Sequence, residues 1–247
     1  MVLLTGGSGV LGKELVKHRY NEDWYVPTYV PTHEELDILN PGPGLADVPP
    51  IFLIIHCAAY TDVAKAEVER KECFTTNVLG TRALASLGIP IIYISTDYIF
   101  DGEDGNYKED DIPYPVNFYG LSKLLGEYEV QNTEHRIIRT SFRPYPFPHR
   151  SACTDAYTSA DYVDVIAKEI ALAVKNWEEL PHIIHIGTER KSHYELANKF
   201  HHHAIAGNYI GPTTRAELGV KIPKDSSLDS SLWRKFKTNQ LLTNQIS

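Results

Sequence analysis

Short, continuous runs of apolar residues alternate with stretches of helical spacing through the first two thirds of the chain. Runs at residues 2–5, 24–30, 51–57, 89–95, 136–139 and, further on, 183–186 predict strands. Helical patterns fall between them, near 10–19, 72–87, 117–131, 161–176 and 192–204. Strands that are apolar throughout, rather than at every second position, belong to a parallel sheet covered on both faces. Right-handed crossovers then give an α/β architecture, a doubly wound parallel sheet of the Rossmann type. No internal repeat interrupts the pattern. The proline-rich piece at 144–148 marks a break, and 207–229 reads as loop. The expected organisation is a Rossmann domain from 1–143 plus about 160–186, with 144–159 and 187–247 as a small, shortened cap.

Composition narrows the function classes. The 247 residues are 43% apolar, enough to bury a full core, and the formal net charge is −8. That balance argues against a nucleic-acid partner, because phosphate binding wants a basic surface. No apolar stretch is long enough to cross a bilayer. The chain runs from Met1 directly into a core strand, leaving no signal peptide. Cys57, Cys73 and Cys153 are odd in number and unclustered, which suits reduced thiols better than disulfides. The expected location is cytoplasmic.

Two stretches carry chemistry. Thr5-Gly6-Gly7-Ser8-Gly9-Val10-Leu11-Gly12 follows the first strand and opens the first helix, with glycines at a GxxGxxG spacing. Gly6 and Gly9 permit a tight turn and close approach of backbone to a pyrophosphate. Gly12 lets the helix lie close to the strand, and the helix N-terminus offers free N–H groups. No acidic residue clearly ends the second strand, and Thr32 and His33 stand there instead, which places NADPH ahead of NADH, with NAD as the alternative. The second stretch is Tyr119-Gly120-Leu121-Ser122-Lys123, where a helix stacks Tyr119 and Lys123 on one face. An ammonium beside a phenol favours the phenolate and makes the tyrosine a usable proton donor. The chain has 15 tyrosines, so about one such pair is expected by chance. What gives this pair weight is Ser95-Thr96-Asp97-Tyr98-Ile99-Phe100-Asp101-Gly102, which emerges shortly before it at the carboxyl edge of the sheet.

GxxGxxG, then a hydroxyl residue, then YxxxK resembles the extended short-chain dehydrogenase/reductases. The closer resemblance is to the dTDP-4-dehydrorhamnose reductase family. It rests on the 95–102 stretch, on Cys57-Ala58-Ala59-Tyr60-Thr61-Asp62, on Leu36-Asp37-Ile38, on Asn77 in Thr76-Asn77-Val78-Leu79-Gly80-Thr81, on Arg139-Thr140-Ser141, and on Asp225-Ser226-Ser227-Leu228-Asp229. The resemblance implies that Tyr119 donates the proton, Thr96 hydrogen-bonds the keto oxygen, and Lys123 lowers the tyrosine pKa and holds the ribose. It implies a cofactor set of Gly6, Ser8, Gly9, Val10, Leu11 and Gly12, then Asp37, Ile38, Ala58, Ala59, Tyr60, Asn77 and Ser95, with Tyr119 and Lys123. Thr61, Asp97 and Phe142 stand on the substrate side, Asp97 with a turn-capping role as an equal alternative.

The activity implied is NADPH-dependent reduction of the 4-keto group of a nucleotide-diphosphate sugar. The related 4,6-dehydratases carry Asp-Glu after the threonine, whereas Asp97 is followed here by Tyr98, which favours reduction over elimination. Two alternatives stay open. One is a non-catalytic binding protein like the regulatory subunit of methionine adenosyltransferase, and the other is an epimerase or dehydratase with tightly held NAD. After Ser141 the chain is shorter than the family pattern and rejoins it near 155–159, so the pocket is expected to be smaller, more open, or completed by another subunit. Leu121, Leu124, Leu125 and Tyr128 form a stripe opposite Tyr119, to be covered by the helix at 72–87 or by a second copy in a homodimer. His201, His202 and His203 point about 100° apart on a helix and make a poor metal site, so no metal is expected.

Overall fold

The computed structural model describes residues 1–18, 26–132, 134–199 and 210–244, without the side chains of 241–244. The strands are Val2–Thr5 (β1), Thr28–Tyr29 (β2), Leu53–His56 (β3), Ile91–Thr96 (β4), Arg136–Thr140 (β5), Phe142–Arg143 (β6), Ser151–Cys153 (β7), Tyr157–Thr158 (β8), Asp161–Tyr162 (β9), Ile183–Ile186 (β10), Lys191–Ser192 (β11) and Gly211–Thr213 (β12). The α-helices are Val10–His18 (α1), Pro41–Leu45 (α2), Val63–Ala66 (α3), Arg70–Phe74 (α4), Thr81–Ala85 (α5), Phe118–Glu129 (α6), Val163–Lys175 (α7), His193–Asn198 (α8) and Ser231–Asn244 (α9).

Six strands form one parallel sheet in the order β2-β1-β3-β4-β5-β10. Every residue of β1, β3 and β4 is buried, as the unbroken apolar runs require. Successive side chains go to opposite faces. Leu53 and Ile55 join Leu11, Leu15, Ile166 and Ile170 on one side, while Ile54 joins Leu3, Tyr93, Leu84 and Val130 on the other. Three two-stranded ladders, β6–β9, β7–β12 and β8–β11, lie outside the six-stranded sheet.

Several expectations shift in detail. The single helix expected at 72–87 is α4 and α5 joined through a π-helical turn, Thr75–Gly80. Within it, Thr81 Oγ1 donates to the Asn77 carbonyl at 2.8 Å. Helix α9 was grouped with the cap, yet Trp233 is buried in the core beside α7, and Glu169 accepts from Trp233 Nε1 at 2.5 Å and Lys237 Nζ at 2.6 Å. That indole anchors the C-terminal helix to the sheet domain. The histidine run at 201–203 lies outside the described residues. Among the described residues no group of three or more metal-ligating side chains occurs, and no helix is long and apolar enough to cross a membrane.

Helix α6 lies unusually close to its neighbours. A Cβ on Gly120 would stand 2.1 Å from the Tyr98 carbonyl oxygen, and one on Gly126 would stand 2.2 Å from Tyr93 Oη and 2.7 Å from the Asn77 oxygen. Asn117 caps the helix by accepting from the Gly120 N–H at 2.8 Å. Near its end, Glu127 accepts from Ser95 Oγ at 2.5 Å and from Arg139 Nη2 at 2.9 Å, both members of the ion pair being buried. The leucine stripe divides. Leu124 is covered by Ile99, Phe100, Tyr107 and Leu228 rather than by the helix at 72–87, while Leu121 and Tyr128 remain exposed. The α4–α5 segment instead meets α6 on its Ser122 and Glu129 side.

Two buried histidines are held neutral. His56 bridges Thr5 Oγ1 (2.8 Å) and Thr81 Oγ1 (3.1 Å), and His185 donates through Nδ1 to the Tyr107 carbonyl (3.0 Å). Burial, then Lys123 for His56 and Arg139 for His185, brings each down to about 3.

Gly120→Ala should cost about 2 kcal/mol or more in denaturant unfolding, because its methyl meets backbone that cannot yield, whereas exposed Leu121→Ala should stay within about 0.5 kcal/mol. Equal effects would contradict the close seating of α6. Each buried histidine takes up its proton readily only in the unfolded chain, so stability should be full above pH 6.5 and fall as pH drops, by about 1 kcal/mol per histidine at pH 5.5. Unfolding free energies at pH 7.0 and 5.5 check this, with His56→Gln removing its share of the difference.

Candidate active site

A cavity of about 1060 Å³ opens at the carboxyl edge of the sheet, between the β1 and β3 loops and the cap. Its floor is the glycine turn. Gly6 has a left-handed φ of +71°, and a Cβ there would come within 2.5 Å of the Ala58 nitrogen. A Cβ on Gly12 would meet the Gly6 oxygen at 2.2 Å, so α1 can start this close to the strand only with glycine there. Ser8, Gly9, Val10 and Leu11 complete the turn and line the cavity with Asp37, Ile38, Ala58 and Ala59. Thr32 and His33 lie on the same wall, and Asp37 caps its own turn by accepting from the Leu39 N–H at 2.9 Å.

These residues fit a bound dinucleotide. The turn is a backbone cradle that side chains would fill, and α1 opens onto it with no acidic residue in its first turn. A second feature points the same way. Thr140 Oγ1 is buried at the end of β5, lines the cavity, and has no hydrogen-bond partner among the described residues.

Tyr60 and Asn77 stand behind the wall. Asn77 accepts from the Tyr60 N–H (2.7 Å) and donates to the Tyr60 carbonyl (3.0 Å) and to Ser122 Oγ (2.8 Å). Its side chain therefore ties the 58–60 loop to α6, and the π-helical turn sets it at the height where both can be reached.

Thr96, Tyr119 and Lys123 come together where β4 meets α6. Thr96 lines the same cavity as Tyr119, and its hydroxyl pulls the phenol toward the phenolate. It also accepts from the Tyr98 N–H (3.2 Å) and donates to Asp97 (3.2 Å). Burial nevertheless pushes the Tyr119 phenol well above the ordinary tyrosine range, and Asp97 raises it further. Lys123 does not face the phenol as its spacing suggested. Its Nζ donates to the Ile94 carbonyl at 2.8 Å and lies 4.0 Å from the centre of the Tyr93 ring. Burial lowers the ammonium to about 7, against the opposing pull of Glu127. The reason is geometric, because the lysine stem runs from the shared helix face down onto the sheet, where a carbonyl and a ring compensate the desolvated charge.

Asp97 is fully buried, and its carboxylate accepts from Thr96, from Ser226 Oγ (2.6 Å) and from Thr158 Oγ1 (3.2 Å). It holds Thr96 and joins the cap and the 225–229 segment to the strand end; its described partners are all protein hydroxyls. Ser95 is occupied by Glu127, while Thr61 and Phe142 line the cavity. Among the lining residues that the sequence reading did not assign to the site are Tyr98, Arg143 and His193. Arg143 carried a weak signal, a charge three residues beyond the end of the core strand β5. His193 carried none, since only the fold of the cap brings α8 to this wall.

Comparison with known proteins agrees with this geometry. The family model described as the RmlD substrate binding domain matches residues 1–143. The backbone is similar to the crystal structure of a hypothetical dTDP-4-dehydrorhamnose reductase from Sulfolobus tokodaii, with 34% identity, 95% of this chain and 93% of that one covered, and a TM-score of 0.79. It is also similar to dTDP-4-dehydrorhamnose reductase from Bacillus anthracis in complex with NADP, with 29% identity, coverage of 95% and 90%, and a TM-score of 0.80. Among curated sequences, methionine adenosyltransferase 2 subunit beta of Rattus norvegicus is 27% identical over 93% of this chain and 80% of that protein. Since the family match spans more than half of the chain and the Sulfolobus backbone is followed along nearly its whole length, the chain belongs to the RmlD substrate binding domain family, within the extended short-chain dehydrogenase/reductases.

Proposed function

We propose that the chain is an NADPH-dependent reductase of the 4-keto group of a nucleotide-linked deoxysugar, dTDP-4-dehydrorhamnose or a relative. The observation that carries this is the placing of Thr96, Tyr119 and Lys123 in one cavity with the glycine cradle. Gly6, Gly9 and the start of α1 would hold the pyrophosphate, and Lys123 the nicotinamide ribose. When bound, NADPH supplies the hydride. Tyr119 is protonated at neutral pH, since burial raises it, and so is in the form that gives a proton to the keto oxygen. The Thr96 hydroxyl orients that oxygen by turning its one proton from Asp97, whose carboxylate otherwise keeps Thr96 in place. Reduction is favoured over elimination because the one carboxylate next to Thr96 is committed to protein hydroxyls.

A second reading has an observation of its own. The likeness to methionine adenosyltransferase 2 subunit beta extends over 93% of the chain, which supports a role as a subunit of another enzyme with the cofactor fold retained.

NADPH oxidation with a panel of nucleotide 4-keto sugars separates the two. Tyr119→Phe and Thr96→Val should each lower kcat by about 10²–10⁴-fold while NADPH binds as to the parent. Bound NADPH with no turnover across the panel favours the subunit reading. A Tyr119→Phe variant as active as the parent would remove the proposed acid.

A further inference from the structure

One buried hydroxyl in the cavity finds no partner in the fold around it. Thr140, the last residue of β5, is 2% exposed, and its Oγ1 has no hydrogen-bond partner among the described residues. It nevertheless lines the cavity. A buried hydroxyl in that state is costly, because nothing replaces the water it gave up on folding. Packing at this position does not call for it. Thr140 pairs with Ile186 of β10, and two residues earlier on the same face Ile138, paired with Ile94 and Ile184, belongs to the apolar core. Valine would continue that row of β-branched side chains and leave no polar atom unpaired.

The nearest hydroxyl does not take up Thr140. Thr96 is its partner across the β4–β5 pairing, so the two side chains rise from the same face of the sheet. The Thr96 hydroxyl gives its proton to Asp97 and accepts from the Tyr98 N–H. Thr140 Oγ1 therefore stands one strand beyond Thr96 with a donor and its acceptor lone pairs open to whatever fills the cavity.

The strand order indicates what that is. The glycine cradle lies at the end of β1, and the order β1-β3-β4-β5 puts Thr96 two strands away and Thr140 on the next. A dinucleotide with its pyrophosphate on the cradle and its nicotinamide ribose on Lys123 has its nicotinamide end beside Thr140. The polar group at that end is the neutral carboxamide, whose oxygen accepts and whose amino group donates. A neutral hydroxyl in an otherwise apolar row complements a neutral amide.

We propose that Thr140 binds the nicotinamide carboxamide and so fixes the rotation of the ring beside Thr96 and Tyr119. This rests on the reading that the cavity holds a dinucleotide, whatever the substrate.

Calorimetric titration of the cofactor-free protein tests it, with NADPH and with 2′-phospho-ADP-ribose, the same molecule without its nicotinamide, for the parent, Thr140→Val and Thr140→Ser. Thr140→Val should weaken NADPH about fivefold or more and leave 2′-phospho-ADP-ribose within about twofold of the parent. Thr140→Ser, which keeps the hydroxyl, should recover most of the loss. The denaturant midpoint of cofactor-free Thr140→Val should equal or exceed that of the parent, since the variant removes an unpaired buried group. NADPH affinity within about twofold of the parent in Thr140→Val overturns the proposal. Equal losses for both ligands, or a midpoint below the parent's, also overturn it, because the hydroxyl would then support the fold rather than the carboxamide. A parent that binds neither ligand removes the dinucleotide reading and this assignment with it. Thr140-dependent NADPH binding without turnover of 4-keto sugars removes the reductase reading and leaves the role of Thr140 standing.

Discussion

The approach of α6 to the end of β4 is the constraint on which the rest of the site depends. Tyr119 and Lys123 are useful only at a fixed height above Thr96, and two kinds of contact set that height. Gly120 and Gly126 remove the side chains that would hold the helix off Tyr98 and Tyr93. Glu127 then reaches under the helix to Ser95 and Arg139. A buried ion pair of this kind adds little net stability, because desolvating both charges offsets most of their attraction. Its value is positional, since an unpaired Glu127 or Arg139 would be so costly that the helix has one acceptable register.

Burial also decides the chemistry of the corner. It raises Tyr119 and lowers Lys123, so both groups move toward their neutral forms. The apparent conflict with a phenol activated by its lysine resolves in geometry, because the ammonium is compensated by Ile94 and Tyr93 rather than by the phenol. The positive charge that does act on Tyr119 comes from Arg143, across the cavity. Acid form, orienting hydroxyl and remote cation thus come from three elements, α6, β4 and β6, that meet only at the sheet edge.

The cap is small, and its attachment explains why it can be. Asp97 bonds to Thr158 and Ser226, Asp225 pairs with Arg190, and the Leu228 N–H donates to Ser159 at 3.0 Å. A motif at the far end of the sequence is therefore part of the support for Thr96. Trp233 follows at once and returns the chain to the sheet domain, so the cap is tied down at both ends.

Much of the fold was legible because its signals are local. Short apolar runs mark β1, β3, β4, β5 and β10, the glycine spacing marks the turn before α1, and the offset of four between Tyr119 and Lys123 puts them on one helix face. A parallel sheet buried on both sides writes itself into consecutive residues, and so does a helix face. What the sequence could not show are properties that depend on partners distant along the chain: the π-helical turn that aims Asn77, the covering of Leu124 by Leu228, the return of Trp233 to the core, and the placing of Arg143 and His193 in one cavity lining. The direction of Lys123 belongs with these, since a residue's spacing states which face it occupies and not what its charge finds there. The sequence alone thus determined the scaffold and the identities of the reactive groups, through periodicity and short-range geometry. The tertiary structure decided their protonation and their neighbours, because desolvation and charge compensation exist only once distant segments have closed around them.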